Sequence, residues 1–252
     1  MAGDKVEEEV KPKQSASSAV DVLSPDYPLM VIMRGIPGTL SHSKNIALML
    51  ETIGPELGLD VRKLKIAAYY HDIGKSVNPR YFTENQTEDE ENAHKELDSW
   101  ISYRLITAHI GDTVQILVND PNIPRDVIEW CSQHHGTCIV RYFCNKSGTK
   151  NVDNYRYKCT KPRSLEAALL MICDHLEARS RSLNQAGKLS NVDELIDKVI
   201  VELLEEDEQL DDVALPKLGY LRKIKFLLKR EISSQYHKRV DYDKAMDEST
   251  GE

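Results

Sequence analysis

The chain has 252 residues, of which 40% are hydrophobic and 29% are charged, as is usual for a globular protein of one large or two small domains. Its formal net charge of -8 argues against broad binding to nucleic-acid polymers or anionic membranes, although cations gathered in one cleft would still bind a compact anion. No apolar run approaches the ~20 residues that span a bilayer, and the polar N-terminus lacks a signal-peptide pattern, so a cytoplasmic location is predicted.

Composition also predicts how the chain is divided and which thiols it carries. Residues 1–20 are charged and then rich in Ser and Ala, which predicts a disordered leader or linker. A single domain over residues 21–242 and a disordered tail over 243–252 are predicted to follow. The five cysteines are an odd number without a C-x-x-C pair, which favours free thiols over disulfides or a zinc ribbon.

The first third of the domain reads as three helices. An apolar segment ends near Gly35, and a second helix begins after Pro37-Gly38-Thr39 and stops near Gly54-Pro55. A third begins at about Asp60 and delivers His71-Asp72 at its end.

The middle of the domain alternates between loops and helices. Residues 76–92 lack periodicity and predict a surface loop beside a cleft, with an acidic run at 88–91. Residues 93–118 resume a helical pattern with a break near Gly111. The predicted buried stripe of that helix is Leu97, Ile101, Leu105, Ile106 and Ile110.

The remainder of the chain predicts more helices and one irregular insertion. Pro124 opens a helix that ends at His134-His135-Gly136. Residues 137–161 predict a short hairpin or an ordered loop. Further helices are predicted from Ser164 to Leu183, over 191–206 and over 217–236, so the fold class is all-α.

The pair His71-Asp72, at the end of an apolar helical run, is the first chemical signal. Imidazole and carboxylate are common metal ligands. Lys75 lies three and four residues further on and shares their helix face. A cation beside a metal suggests phosphate as the substrate group, although the dipeptide alone is equally compatible with a capped helix end and a surface salt bridge.

Distant residues extend this signal into a pattern of seven metal-ligand types. Asp174 stands inside an otherwise apolar segment, where a carboxylate is costly to bury without a partner. Seven ligands are too many for one small ion but suit two ions that share Asp72, and a nitrogen–oxygen set without thiolate favours manganese or iron, with zinc as the alternative. Gly136 would allow the double histidine to turn both rings to one cleft. The seven are His42, His71, Asp72, His109, His134, His135 and Asp174.

Segments spread over residues 23–242 match the motifs of one protein family. By these segments, given at the end of this paragraph, the chain resembles the HD-domain phosphohydrolases. More narrowly, it resembles the seven-transmembrane HD family of membrane-bound cyclic di-AMP phosphodiesterases, which implies an HD-domain helical bundle. The segments are Pro37-Gly38-Thr39 with His42-Ser43, Ala68 to Lys75, Tyr81-Phe82 with Glu84-Asn85-Gln86, Gln133 to Thr137 with Tyr142-Phe143, Tyr155-Arg156-Tyr157, Lys161-Pro162, Glu166-Ala167-Ala168, Asp174, Glu177-Ala178 and Ser180 to Leu183.

The sequence departs from that family in two ways. The family often has a histidine at the position of Ser41, which is not a ligand position, so little loss is expected. The family's extracellular part and seven membrane helices do not precede the domain here. This is compatible both with a stand-alone version and with a piece of a larger, membrane-anchored protein.

The resemblance implies a ligand assignment and a mechanism. His42, His71, Asp72 and Asp174 would surround one ion, and Asp72, His109, His134 and His135 the other. The hypothesis is that the two ions hold a bridging hydroxide, which attacks phosphorus in line with the leaving ribose oxygen. Asp72 and Lys75 are thus the predicted catalytic residues.

Substrate contacts are predicted from six side chains. Lys75 would neutralise the phosphate oxygens, and Arg181, two helical turns past Asp174, would contact the second phosphate. A solvated arginine is an equally good interpretation of Arg181. The nucleotide cleft would be lined, by stacking and phosphate pairing, by Tyr155, Arg156, Tyr157 and Lys161, although alternating tyrosines are as often strand packing.

Other functions explain the pattern less well. Cyclic di-GMP phosphodiesterases of the HD-GYP group carry Gly-Tyr-Pro after the double histidine, whereas Gly136 is followed here by Thr137-Cys138. A mononuclear HD nucleotidase would leave three histidines unexplained. A non-catalytic cyclic-dinucleotide sensor would be expected to have lost ligands, and a pure interaction domain does not account for the histidines.

Overall fold

The computed structural model describes residues 20–86 and 92–236, and these form an all-α fold, as predicted. Within these two ranges the backbone forms no strand, only an isolated antiparallel bridge between Ile139 and Arg156. All but the last residue of the predicted leader at 1–20, the acidic run and the tail at 243–252 lie outside the described residues. The helices are α1 (Pro28–Arg34), α2 (Pro37–Leu57), α3 (Val61–Tyr70), α4 (Ser99–Val118), α5 (Arg125–Gln133), α6 (Arg141–Ser147), α7 (Leu165–Gln185), α8 (Val192–Val201) and α9 (Gly219–Gln235).

Helices α2 and α7 form the centre of the bundle. Helix α2 packs against α3, α7 and α9, and α7 also packs against α5 and α8. Helix α7 is buried all round its N-terminal half, which is why that half is apolar on every face. Its consecutive buried residues are Ala167, Ala168, Leu169, Leu170, Met171, Ile172, Cys173 and Asp174.

Capping residues set the helix starts that the sequence predicted. Asp60 Oδ1 accepts the backbone N–H of Lys63 at 3.1 Å, and Ser164 Oγ accepts that of Ala167 at 3.2 Å. Helix α2 continues past the predicted stop to Leu57, because Pro55 lies in its last turn and the left-handed Gly58 ends it.

Helix α4 differs from its prediction. It starts only at Ser99 and passes through Gly111 without a break. The predicted buried stripe was only partly right, since Ile110 is buried and Ile101 is 49% exposed. The other three members are half-buried: Leu97, Leu105 and Ile106. The face turned to the core is instead more polar and includes Ser102, His109 and Thr113. The buried face of α4 therefore contains polar residues, which its apolar periodicity did not predict.

The predicted surface loop after Asp72 is tied into the fold. It contains three short 3-10 turns, Ile73–Val77, Pro79–Tyr81 and Thr83–Asn85. Asn85 Oδ1 accepts the backbone N–H of Thr39 at 3.0 Å, so the loop caps the start of α2. Phe82 is buried beside it. This loop does flank a cleft, as the next section describes.

The insertion at 137–161 is an ordered loop rather than a hairpin. It contains α6, which the sequence did not predict, and a 3-10 turn at Val152–Tyr155. Its two arms are held together by Val140 N–H donating to Tyr155 O at 2.8 Å and Tyr157 N–H donating to Cys138 O at 2.9 Å.

The two predicted C-terminal helices are confirmed as α8 and α9, with a π-helical turn at Glu202–Glu206 extending α8. All five cysteines are free, as predicted. No helix in the described ranges is both long and apolar enough to cross a membrane.

Candidate metal centre

The structure brings the seven predicted metal ligands into one buried cluster. They form two groups that share Asp72, and in each group the ligand atoms lie within 4.8 Å of one another. The first group is His42, His71, Asp72 and Asp174, and the second is Asp72, His109, His134 and His135. These are the two sets that the family resemblance implied.

The turn after α3 places His71 and Asp72 at the centre of the cluster. Thr113 of α4 holds this turn, since its hydroxyl donates to His71 O at 3.1 Å and accepts the Gly74 N–H at 2.9 Å. A Cβ at Gly74 would lie 2.1 Å from His109 O. A glycine is therefore required where the turn meets the helix that supplies His109.

Three histidines are oriented by the same local device. The Nδ1–H of His71, His109 and His134 donates to the carbonyl oxygen three residues earlier, at 2.9, 2.6 and 2.6 Å. Each Nε2 therefore carries the lone pair and points inward. All three Nε2 atoms are buried without a hydrogen-bond partner, as is Asp72 Oδ1. Such converging, unpartnered atoms are what a metal ion would satisfy.

Asp72 faces the two groups with different oxygens. Its Oδ1 lies 3.2 Å from His109 Nε2 and 3.6 Å from His134 Nε2. Its Oδ2 lies 3.2 Å from His71 Nε2 and 3.8 Å from His42 Nε2. Burial opposes ionisation of this carboxyl, but Lys75 and His71 together hold its pKa well below the usual value. An ionised carboxylate with its oxygens divided in this way is suited to bridge two cations.

His42 is enclosed by carboxylates. Its Nδ1 is hydrogen-bonded to the buried Glu177, whose other oxygen accepts from Asn45 Nδ2 at 2.9 Å. Its Nε2 lies 2.9 Å from Asp174 Oδ1. Burial lowers the pKa of His42, but these two carboxylates outweigh it and raise the pKa to about 9. Loss of the Nε2 proton turns this nitrogen into a ligand that Glu177 orients.

His135 is held differently. Its ring stacks on Tyr157 with the centroids 4.3 Å apart, and its Nδ1 lies 3.6 Å from Asp174 Oδ2. Burial and the neighbouring His134 keep its pKa well below the usual value. The ring is therefore neutral at pH 7, which is the form that binds metal.

Lys75 lies between the ligand cluster and residues 82–84 of the loop that follows Asp72. Its Nζ is 2.7 Å from Asp72 Oδ2 and 2.7 Å from Glu84 Oε1, and it lies over the Phe82 ring. Burial lowers the pKa of Lys75, but the two carboxylates more than offset this and raise it above its usual value. Lys75 is thus a permanent cation at the edge of the site.

The cluster opens into a cavity of about 640 Å³. Arg181 lines it and lies 3.6 Å from Glu177 through its Nε. Arg179, His175 and Tyr157 also line it. The volume is within the range of small-molecule sites, and the cations on its walls match an anionic ligand.

Three predicted substrate contacts do not line this cavity. Tyr155 is packed among Tyr103, Phe143 and Cys144, and Arg156 donates to Thr137 O at 3.0 Å. Lys161 lies 3.6 Å from Asp211 on the surface. Of the two tyrosines, Tyr157 lines the cavity and stacks on His135, whereas Tyr155 ends the 3-10 turn Val152–Tyr155 and packs into this separate cluster.

Sequence reasoning missed the supporting roles of three residues: Glu84, Glu177 and Gln209. Glu177 had a usable signal, because it lies three residues past Asp174 on the same helix face. The others are brought in by tertiary contacts that no local pattern records. His94 and His175 each hydrogen-bond a backbone carbonyl, and His175 also lines the cavity.

The donor set fits divalent metal ions. It is made of imidazole nitrogens and carboxylate oxygens, which suit first-row divalent ions in general. The cation beside the cluster, Lys75, pairs with carboxylates and leaves the imidazole lone pairs open. The residues present therefore match the group that the sequence predicted.

The comparison with known families agrees with this geometry. A family model of the HD domain matches residues 39–179, which include all seven ligands. The chain belongs to the HD domain family. The predicted family and the helical HD fold are thereby confirmed.

Two curated relatives bear the name cyclic-di-AMP phosphodiesterase PgpH. The protein from Listeria monocytogenes is 30% identical over 234 residues, which cover 90% of this chain and 32% of that protein. The one from Bacillus subtilis is 28% identical over 237 residues, which cover 92% of this chain and 32% of that protein. The chain thus spans about a third of the length of these relatives.

Two solved structures match over most of the chain. The HD domain of L. monocytogenes PgpH aligns with a TM-score of 0.75 at 30% identity, covering 84% of this chain and 100% of that domain. The same domain in complex with cyclic-di-AMP aligns with a TM-score of 0.73, covering 85% and 99%.

Proposed function

We propose that this HD domain is a metal-dependent phosphodiesterase that hydrolyses a cyclic dinucleotide, with cyclic di-AMP as its substrate. The observation that carries the proposal is the pair of ligand groups sharing Asp72 at the base of a cation-lined cavity. The similar PgpH domain, which has been solved in complex with cyclic-di-AMP, supports the choice of substrate.

Two divalent ions, manganese or iron, would occupy the centre. His42, His71 and Asp174 would hold one, His109, His134 and His135 the other, and Asp72 both. When bound, such ions lower the pKa of water toward ~7 and neutralise charge on phosphate oxygens. The absence of thiolate among the ligands supports manganese or iron over softer ions.

The chain's own residues would bind and orient the phosphodiester. Lys75 provides a cation beside Asp72, where it would exchange its present carboxylate contacts for a phosphate oxygen. Arg181, which also lines the cavity, would pair with the second phosphate. Because Glu177 fixes Arg181 as well as His42, the ligand sphere and the substrate contact share one support.

The alternatives receive less support from the described residues. A cyclic-dinucleotide sensor without activity would not need all seven ligands to converge with unpartnered lone pairs.

The five free thiols are compatible with a reducing compartment, which supports the cytoplasm as the place of action.

Metal analysis combined with hydrolysis assays tests this function. We expect two ions per chain and faster hydrolysis of cyclic di-AMP than of cyclic di-GMP. Asp72→Ala should lose hydrolysis by roughly a thousandfold or more, since metals contribute several kcal/mol to the transition state. Fewer than two ions in the wild type, or undiminished turnover in Asp72→Ala, would contradict the dinuclear mechanism. Preferred turnover of cyclic di-GMP would contradict only the assigned substrate.

A further inference from the structure

The segment at residues 202–209 contacts the turn that follows the double histidine, residues 135–137. Gln209 follows the π-helical turn Glu202–Glu206 and is fully buried. Its Oε1 accepts the backbone N–H of Thr137 at 2.8 Å, and its Nε2 donates to Thr137 Oγ1 at 3.0 Å. One side chain therefore binds both the backbone and the hydroxyl of the residue two positions after His135.

Gln209 lies very close to Gly136, and the backbone just before Gln209 has an unfavourable conformation. Gly136 has φ +47°, and a Cβ there would lie 2.3 Å from Gln209 Oε1. Glu208, just before Gln209, has φ +52° and is the one non-glycine residue with positive φ in the described ranges. Such backbone persists only where the surroundings hold it, and it is concentrated at functional sites. A π-helical turn is a further feature of that kind.

His135 depends on this turn more than the other ligands do. The rings of His71, His109 and His134 are each fixed by a hydrogen bond within their own helical turn. The ring of His135 makes no hydrogen bond among the described residues; it has only the stack on Tyr157 and the approach to Asp174. Its place is therefore set by the backbone of residues 135–137.

The segment is itself anchored to the insertion and to the cavity wall. Both carboxylate oxygens of Asp207 lie 3.2 Å from the Arg141 guanidinium. Glu202 pairs with Arg179, which lines the cavity. The backbone N–H of Gln209 donates to Leu203 O at 2.7 Å, which fixes the residue relative to the π-helical turn.

From these contacts we propose that Gln209 is a positioning residue that holds His135, and with it His134, in the geometry required for metal binding. The ion concerned is the one proposed at His109, His134 and His135, called the second ion below; the ion proposed at His42, His71 and Asp174 is the first. This inference rests on the proposed function, because it assigns a support to one of the two proposed ion sites. Gln209 does not touch the ion or the substrate, and it acts through Thr137.

The test is a metal titration of the full chain, stripped of metal, with Mn²⁺. Gln209→Met keeps the length of the side chain but removes both hydrogen bonds to Thr137. We expect the second ion to bind roughly 10–100-fold more weakly, as for outer-shell partners of metal ligands, while the first ion is unaffected. Hydrolysis should recover when Mn²⁺ is raised.

Two further variants make the result decisive. Gln235→Met on α9 is the matched control, since Gln235 Nε2 donates to Asn45 O at 3.3 Å and lies in a different part of the bundle. It should leave the second ion unchanged. Thr137→Val removes only the hydroxyl and, if Gln209→Met does not fold, carries the test with a smaller loss at the same ion.

The outcomes separate the inference from the proposed function. If the wild type binds two ions and Gln209→Met binds both with unchanged affinity, the positioning role is overturned and the proposed function stands. If both affinities fall together, Gln209 supports the fold in general and the inference is again overturned. A wild type that binds a single ion overturns both.

Discussion

The two halves of the metal centre are held in place by different means. Around His42, a carboxylate is hydrogen-bonded to each ring nitrogen, and both carboxylates come from the central helix α7. Around His109 and His134, each ring is held by a neutral backbone carbonyl, and His135 relies on a stack and on the turn at Gly136.

This difference indicates how each half responds to its surroundings. Charge-assisted hydrogen bonds are roughly twice as strong as neutral ones, and α2 and α7 are the most buried part of the bundle. The half around His42 is therefore fixed by the core. The half around His135 is fixed by an insertion and a C-terminal segment, so changes outside the core reach it more easily.

The largest expected effect comes from removing a single ligand, in one variant from the first half and in a second variant from the other half. His42→Ala and His134→Ala should each lose one ion and reduce hydrolysis by roughly a thousandfold, because the chemistry needs both ions. Elemental analysis after dialysis, with rates at saturating metal, measures this. Retention of both ions in either variant would contradict the division into two sites.

Glu177→Gln tests whether charge supports the first half. The amide keeps the hydrogen bond with Asn45 but loses the negative charge beside His42. We expect the ion at His42 to bind roughly 10–100-fold more weakly and the ion at His134 to be unaffected. Glu166→Gln, in the first turn of the same helix, is the control. Equal weakening of both ions would mean that the halves are not independent.

Gly136→Ala tests whether the turn supports the second half. A left-handed alanine lowers the free energy of unfolding by ~1–2 kcal/mol, and the new Cβ would also displace Gln209. Gly148→Ala has the same strain at φ +66° in open space. Denaturant unfolding should show a loss in both variants, whereas calorimetric metal titration should show a weaker second ion only in Gly136→Ala. Equal metal binding by the two variants would remove this role of the turn.

The smallest effects concern the cations outside the ligand groups. Arg181→Met should raise KM for the dinucleotide about tenfold with little change in kcat, as expected for one hydrogen bond to a charged group. Lys161→Met, which lies outside the cavity, should change KM by less than about twofold. Steady-state kinetics on both variants compares the two predicted contacts directly. A larger effect at Lys161 would reverse their assignment.

The sequence predicted the fold, and it pointed to the seven side chains that the structure brings together, because both leave local marks. Asp60 and Ser164 cap their helices, and His71 and His134 stand where apolar periodicity ends. A ligand at a helix end also aligns its ring on the last turn, so type and position are visible together.

What the sequence did not reveal is set by contacts between distant segments. The choice between Tyr155 and Tyr157 depends on how the insertion crosses itself, and the role of Gln209 depends on a residue 72 positions earlier. The exposed Ile101 shows the same limit. The face of α4 that meets the core contains His109 and Thr113, and Thr113 hydrogen-bonds the distant Gly74, a contact that local periodicity does not reveal.

The bonds from three imidazole Nδ1 atoms to the preceding helical turn have a consequence for chelation. Because these rings are oriented during folding, their rotamer entropy is already lost before an ion arrives. We therefore expect ion uptake and release to require no rearrangement of the backbone, unlike in small zinc domains, which unfold when their ion is withdrawn.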